Sequence, residues 1–137
     1  MRVILDTNIL IAALISPTGP PAAILQAFLD ERFTLVTCVP QLVEFQRVTR
    51  DPELRKRIKP AEVGTLINQL RALAFIPRRL PRIERSSDPG DDYLLALAEA
   101  ASADYLVTGD KTGLLALRKH RRTRIVTAQR FGKLFAD

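Results

Sequence analysis

Short apolar runs rich in β-branched residues alternate with stretches of helical period along this chain, and that alternation constrains the fold more than any other feature. The first run, Val3-Ile4-Leu5, ends in Asp6-Thr7-Asn8 and leads into Ile9, Leu10, Ala12, Ala13 and Leu14, a buried strand feeding a helix. Further strand-like runs stand at Arg32 to Val39, Tyr105 to Thr108 and Arg124 to Thr127, with a shorter one at Ala74-Phe75-Ile76. Between them Pro20 or Pro21 opens a helix carrying Ile24, Leu25, Phe28 and Leu29, and Pro40 opens one carrying Leu42, Val43, Phe45 and Val48. Val63, Leu66, Ile67, Leu70 and Leu73 follow helical spacing, as do Leu94, Leu95, Leu97 and Ala98. Leu114, Leu115 and Leu117 imply another helix, and Phe131, Leu134 and Phe135 a last one that docks its aromatics. Strands interleaved with helices predict a three-layer α/β/α sandwich with a mainly parallel central sheet.

A length of 137 residues fits a single domain spanning 1–137, large enough for one substantial core. Pro77 to Gly90, with three prolines and the arginines Arg78, Arg79, Arg82 and Arg85, reads as a long surface loop within that domain. No apolar run approaches the roughly 20 residues of a membrane span, and Met1 leads straight into a strand, so a cytoplasmic protein with no membrane partner is expected. Cys38, the single cysteine, lies among Leu35, Val36 and Val39 and reads as buried packing. A net charge of +6, most of the excess being arginine, makes an anionic polymer a natural partner. The lone histidine, His120, sits in the basic run Arg118-Lys119-His120-Arg121-Arg122 and reads as exposed, so no serine, cysteine or histidine constellation offers nucleophilic catalysis.

Carboxylates carry the chemistry instead. Asp6 and Asp110 end strand-like runs, while Glu44 and Asp91 are placed in first turns of helices that follow strands or loops on the same side. In a parallel sheet these ends point one way, so the four can converge. Like charges so gathered call for a proton or a cation between them, and hard oxygen donors suit Mg²⁺ or Mn²⁺. Each residue also has a structural reading: Asp6, Thr7 and Asn8 suit a helix start, Glu44 suits a solvated helix face, Asp91 and Asp92 suit the macrodipole, Asp88 before Pro89 forms a turn, and Asp110 after Gly109 does the same.

Taken in order, Val3-Ile4-Leu5-Asp6-Thr7-Asn8, then Glu44, then Asp88-Pro89-Gly90-Asp91-Asp92 before Leu94 to Ala98, then Ala103 to Asp110, resemble the four acidic motifs of PIN-domain ribonucleases. The branch they resemble most is the toxin component of bacterial toxin–antitoxin pairs, the VapC-like proteins, and the likeness covers almost the whole chain. It implies that Asp6, Glu44, Asp91 and Asp110 hold one or two Mg²⁺ or Mn²⁺ ions, with Asn8 and Thr108 supporting them. Asp92 stands where the family varies, and a shift of one position would exchange it with Asp91. Val39 departs from the family pattern, which commonly has a small hydroxyl residue there.

The resemblance further implies an endoribonuclease that hydrolyses RNA phosphodiesters with metal assistance, forms a homodimer and is held inactive by a cognate antitoxin. Arginines from Arg78 to Arg85, from Arg47 and Arg50, or from Arg118 to Arg124 are candidates for the RNA backbone. The alternative is a non-catalytic RNA- or partner-binding module on the same fold. A haloacid dehalogenase fold needs a second aspartate where Asn8 stands, and a receiver domain would concentrate its aspartates near the first strand.

Overall fold

The computed structural model describes residues 1–110 and 112–135, the last by its backbone alone. Five strands, β1 (Arg2–Leu5), β2 (Thr34–Val36), β3 (Tyr105–Val107), β4 (Lys119–His120) and β5 (Thr123–Val126), form one sheet in the order β2-β1-β3-β5-β4. The first four in that order pair in parallel and β4 closes the edge antiparallel to β5. The chain moves outward from β1 to β2 and then returns to the other side of β1 with β3. Strand order therefore reverses between β1 and β3, the place where open α/β sheets leave a crevice at the carboxyl ends of their strands.

Eight helices surround the sheet among the described residues: α1 (Thr7–Ile15), α2 (Pro20–Leu29), α3 (Val39–Val48), α4 (Pro52–Arg55), α5 (Pro60–Leu73), α6 (Asp92–Ala101), α7 (Leu114–Leu117) and α8 (Ala128–Gly132). Alternation along the strands divides the core between two faces. Val3 and Leu5 pack with Leu10, Phe28, Phe45 and Leu70, while Ile4 packs with Leu94, Leu97, Leu106 and Ile125. The result is the expected three-layer α/β/α sandwich around a mainly parallel sheet. Among the described residues no single helix is long and apolar enough to cross a membrane; α1 and α2 pass that test together, but they are bent by 100° at their junction.

Several local expectations are corrected. β2 is shorter than the run Arg32 to Val39, because α3 already begins at Val39. Phe75 makes one bridge to Val36 instead of a strand, and Pro77, which has no N–H, stands two residues on. Val43 is 59% exposed, since α3 turns Gln41, Leu42 and Phe45 inward and Val43 falls outside that arc. Leu73 and Leu134 are likewise exposed. Phe131 docks as expected, edge-on to Phe33 and Tyr105 at 5.7 and 5.3 Å between centroids; the side chain of Phe135 lies outside the described residues. His120 is 6% exposed, not a surface residue, because it belongs to β4 and is clasped from both sides. Arg85 donates to its Nδ1 at 2.6 Å, and its Nε2 lies 2.6 Å from Glu99. A guanidinium can only donate, so Nδ1 accepts and Nε2–H donates to Glu99.

Candidate active site

Asp6 occupies the N-cap position of α1, yet its side chain makes no capping bond. Its Oδ2 instead accepts a hydrogen bond from Thr108 Oγ1 at 2.7 Å, while its backbone N–H donates to the Val107 carbonyl at 2.9 Å. The carboxylate is buried, and burial pushes its pKa up; the Thr108 hydroxyl and the N–H groups of Asn8 and Thr7 oppose that shift, and the charge of Glu44 adds to it. Thr108 also accepts the N–H of Asp110 at 3.1 Å, so one hydroxyl ties together the ends of β1 and β3. The side chain of Asn8 is exposed, and its contribution to Asp6 comes from the backbone.

Asp110 is gripped by the next turn of chain. Gly113 N–H donates to its Oδ1 at 3.0 Å and Leu114 N–H to its Oδ2 at 3.2 Å. A Cβ on Gly113 would collide with that carboxylate, so the close approach requires glycine. Burial pushes the Asp110 pKa up, but the Leu114 and Gly113 N–H groups and a hydrogen bond from Asp91 outweigh it and hold the carboxyl below its ordinary range. Asp91 shows the complementary shift: burial, that same bond and the charges of Asp6, Asp88 and Asp110 raise its pKa to about 7. The opposite shifts are those of two interacting carboxyls that titrate as a pair.

The neighbouring aspartates have other duties. Asp92 Oδ1 accepts the N–H groups of Arg85 and Ser86 at 3.2 and 2.7 Å, fastening the end of the 77–90 loop to the start of α6. Asp88 Oδ1 accepts the Gly90 N–H at 2.9 Å, capping the 3₁₀ turn Pro89–Asp91. Of the adjacent pair, Asp91 is the one that interacts with Asp6 and Asp110.

Glu44 lies in the second turn of α3 and not the first, because the helix starts at Val39. Cys38 at the N-cap supplies no capping bond. Gln41 does the anchoring instead: Thr37 Oγ1 donates to its Oε1 at 2.6 Å, and its Nε2 donates to the Leu5 carbonyl at 2.6 Å, one residue from Asp6. The Tyr93 hydroxyl then donates to Glu44 Oε1 at 3.3 Å and lies 3.3 Å from Thr7 Oγ1. Burial, together with the charges of Glu44 and Asp6, raises the pKa of this phenol, so it stays a neutral donor. Sequence reasoning does not single out Gln41, Tyr93 or Gly113, and it reads Thr7 only as part of the helix start. The one available signal is that Tyr93 directly follows Asp91-Asp92.

Asp6, Glu44, Asp91 and Asp110 therefore arrive from the ends of β1 and β3, from α3 in one helical layer and from the start of α6 in the other. They interact in a chain, Glu44 with Asp6, Asp6 with Asp91, Asp91 with Asp110. Among the described residues no group of three or more His, Cys, Asp or Glu is drawn together closely enough to hold a metal ion as it stands. An oxygen-only donor set spread in this way fits a hard cation that keeps part of its water shell.

This arrangement has counterparts in known proteins. The sequence pattern of the PIN domain matches residues 2–112. The chain belongs to the PIN-domain family. PIN domains are generally nucleases. This PIN domain is 27% identical over 123 residues to an uncharacterised protein of Methanocaldococcus jannaschii, covering 89% of this chain and 78% of that one. Its fold matches the crystal structure of FitAcB from Neisseria gonorrhoeae with a TM-score of 0.54 at 14% identity, over 93% of this chain and 98% of that one.

Proposed function

We propose that this PIN domain, a single domain over 1–137, is a Mg²⁺- or Mn²⁺-dependent endoribonuclease and the toxin of a toxin–antitoxin pair. What supports the reading is the chain of interacting carboxylates, Glu44 with Asp6, Asp6 with Asp91 and Asp91 with Asp110, beside the place where strand order reverses. These four would hold the ion. A bound Mg²⁺ or Mn²⁺ supplies Lewis acidity, lowering the pKa of water and stabilising charge on phosphodiester oxygens. Thr108 fixes Asp6, the Gly113 and Leu114 N–H groups fix Asp110, and Tyr93 fixes one oxygen of Glu44, so three of the four carboxylates are oriented by neighbours within the chain. Rigid orientation of this kind is what a positioning mechanism needs. Asp91 has no such donor among the described residues, which leaves its carboxylate free to turn toward a cation.

The toxin role, with its cytoplasmic setting, cognate antitoxin and homodimer, rests on the likeness of the four motifs to the VapC-like branch. The enzymatic core of the reading is tested by incubating purified protein with RNA in Mn²⁺ and in chelator. Cleavage is expected in Mn²⁺, with none in chelator. RNA binding that persists in chelator with no turnover in either Mg²⁺ or Mn²⁺ would identify a binding module instead.

A further inference from the structure

A strongly basic cleft lies over β4 and β5. Arg118, Lys119, Arg124 and Arg130 line a cavity of about 780 Å³ together with Val126 and Thr127. Among the described residues the ion pairs engage Lys56, Arg82, His120, Arg121 and Arg122, and none of the four cleft cations has a carboxylate partner. The cleft is also built at a cost. Lys119 and Arg124 stand directly opposite each other in the β4–β5 pair, where like charges destabilise. Arg118 holds a left-handed backbone, φ 61°, a strained conformation for a residue with a Cβ, with its carbonyl accepting the Ile125 N–H at 2.9 Å. An anion between these groups would relieve the charge that the fold leaves uncompensated.

Two backbone hydrogen bonds tie residues that line the cleft to the segments that carry Asp6's partner and Asp110. The Val126 carbonyl accepts the N–H of Thr108, which holds Asp6, at 3.0 Å, and Leu115, another lining residue, donates its N–H to the Asp110 carbonyl at 2.9 Å. We propose that this cleft binds the phosphodiester backbone of a single-stranded polynucleotide and leads it to the carboxylates; that the strand is then cut rests on the nuclease reading, whereas the binding does not. Three guanidinium forks match phosphate oxygens. The volume lies in the range of small-ligand clefts, room for a few phosphates with their sugars. The arginine-rich loop is less suited, since Arg85 is committed to His120 and Arg82 to Glu84.

The test measures binding of a short labelled oligouridylate, and of its deoxy counterpart, in chelator over a range of salt. The variant R118A/R124A/R130A should bind roughly 10- to 100-fold more weakly at 0.1 M salt, and the slope of log affinity against log salt should fall by about 2, at about 0.7 per lost contact on a single strand. R118K/R124K/R130K, which keeps the charges, should retain the slope. R78A/R79A should match the wild type in both. Wild-type affinity and slope in the triple alanine variant would overturn the proposal, as would be seen if the cleft received an acidic protein segment. A loss confined to R78A/R79A, or a wild-type protein that binds neither oligonucleotide, would also overturn it. A wild-type protein that binds through the cleft but leaves RNA intact in Mn²⁺ would sink the nuclease reading while upholding this one.

Discussion

Asp110 owes its orientation to a missing side chain three residues on. The carboxylate fills the space a Cβ on Gly113 would need, and receives two backbone N–H groups there. Gly113→Ala should therefore displace Asp110 while leaving the core alone, lowering RNA cleavage by about 100-fold, the scale of a misplacement near 1 Å, with a stability loss of about 1 to 3 kcal/mol. Cleavage rates and urea unfolding of the one variant check both halves; unchanged turnover would show that Asp110 need not sit where it does. The four acids were legible in the sequence because each stands beside a run whose period betrays a strand or helix. Gly113, Gln41, Thr37 and Tyr93 were not, because each acquires its meaning from a partner that only folding supplies: the Leu5 carbonyl is 36 residues from Gln41, and Glu44 is 49 from Tyr93.

Two kinds of contact fix the elements that present these residues. Gln41 bolts α3 to the end of β1, and the Arg85–His120–Glu99 series bolts the long loop and β4 to α6, with Arg121 adding to Glu99 at 3.1 Å. The His120 bond holds the Glu99 carboxyl below its ordinary range, and the Arg2 N–H and Arg122 do the same for Asp104 at the start of β3. Folded pKa values below the unfolded ones mean that these groups contribute stability fully above the ordinary values of 4.5 and 3.8, and lose it as pH falls through the folded values. E99Q/D104N should accordingly show a shallower decline in thermal melting temperature below pH 4.5 than the wild type, with the two curves parallel from pH 5 to 6. Equal declines would show that Glu99 and Asp104 bind protons alike in the folded and unfolded chain. Elements with a strong period were readable in advance, α5 and α6 above all. A two-residue strand such as β4 has no period to read, and with β4 went the burial of His120.

Across the molecule, charge is sorted by position. Carboxylates gather where strand order reverses, and uncompensated arginines gather one strand further along the same sheet, on β5 and its neighbours. The net charge of +6 says that an anion is welcome but not where; the sheet order supplies the location. The three-layer architecture was legible because alternating strands and helices admit few other packings. The division of the core into two faces follows from Val3 and Leu5 pointing one way and Ile4 the other. Everything in this arrangement leads to Asp6, the carboxylate that shares charge with Glu44 on one side and Asp91 on the other. The most direct measurement is RNA cleavage in Mn²⁺ by Asp6→Asn beside its unfolding curve. Asparagine can still accept the Thr108 hydroxyl and removes a buried charge, so the account predicts stability within about 1 kcal/mol of wild type and no detectable cleavage. Wild-type cleavage by the folded variant would contradict it.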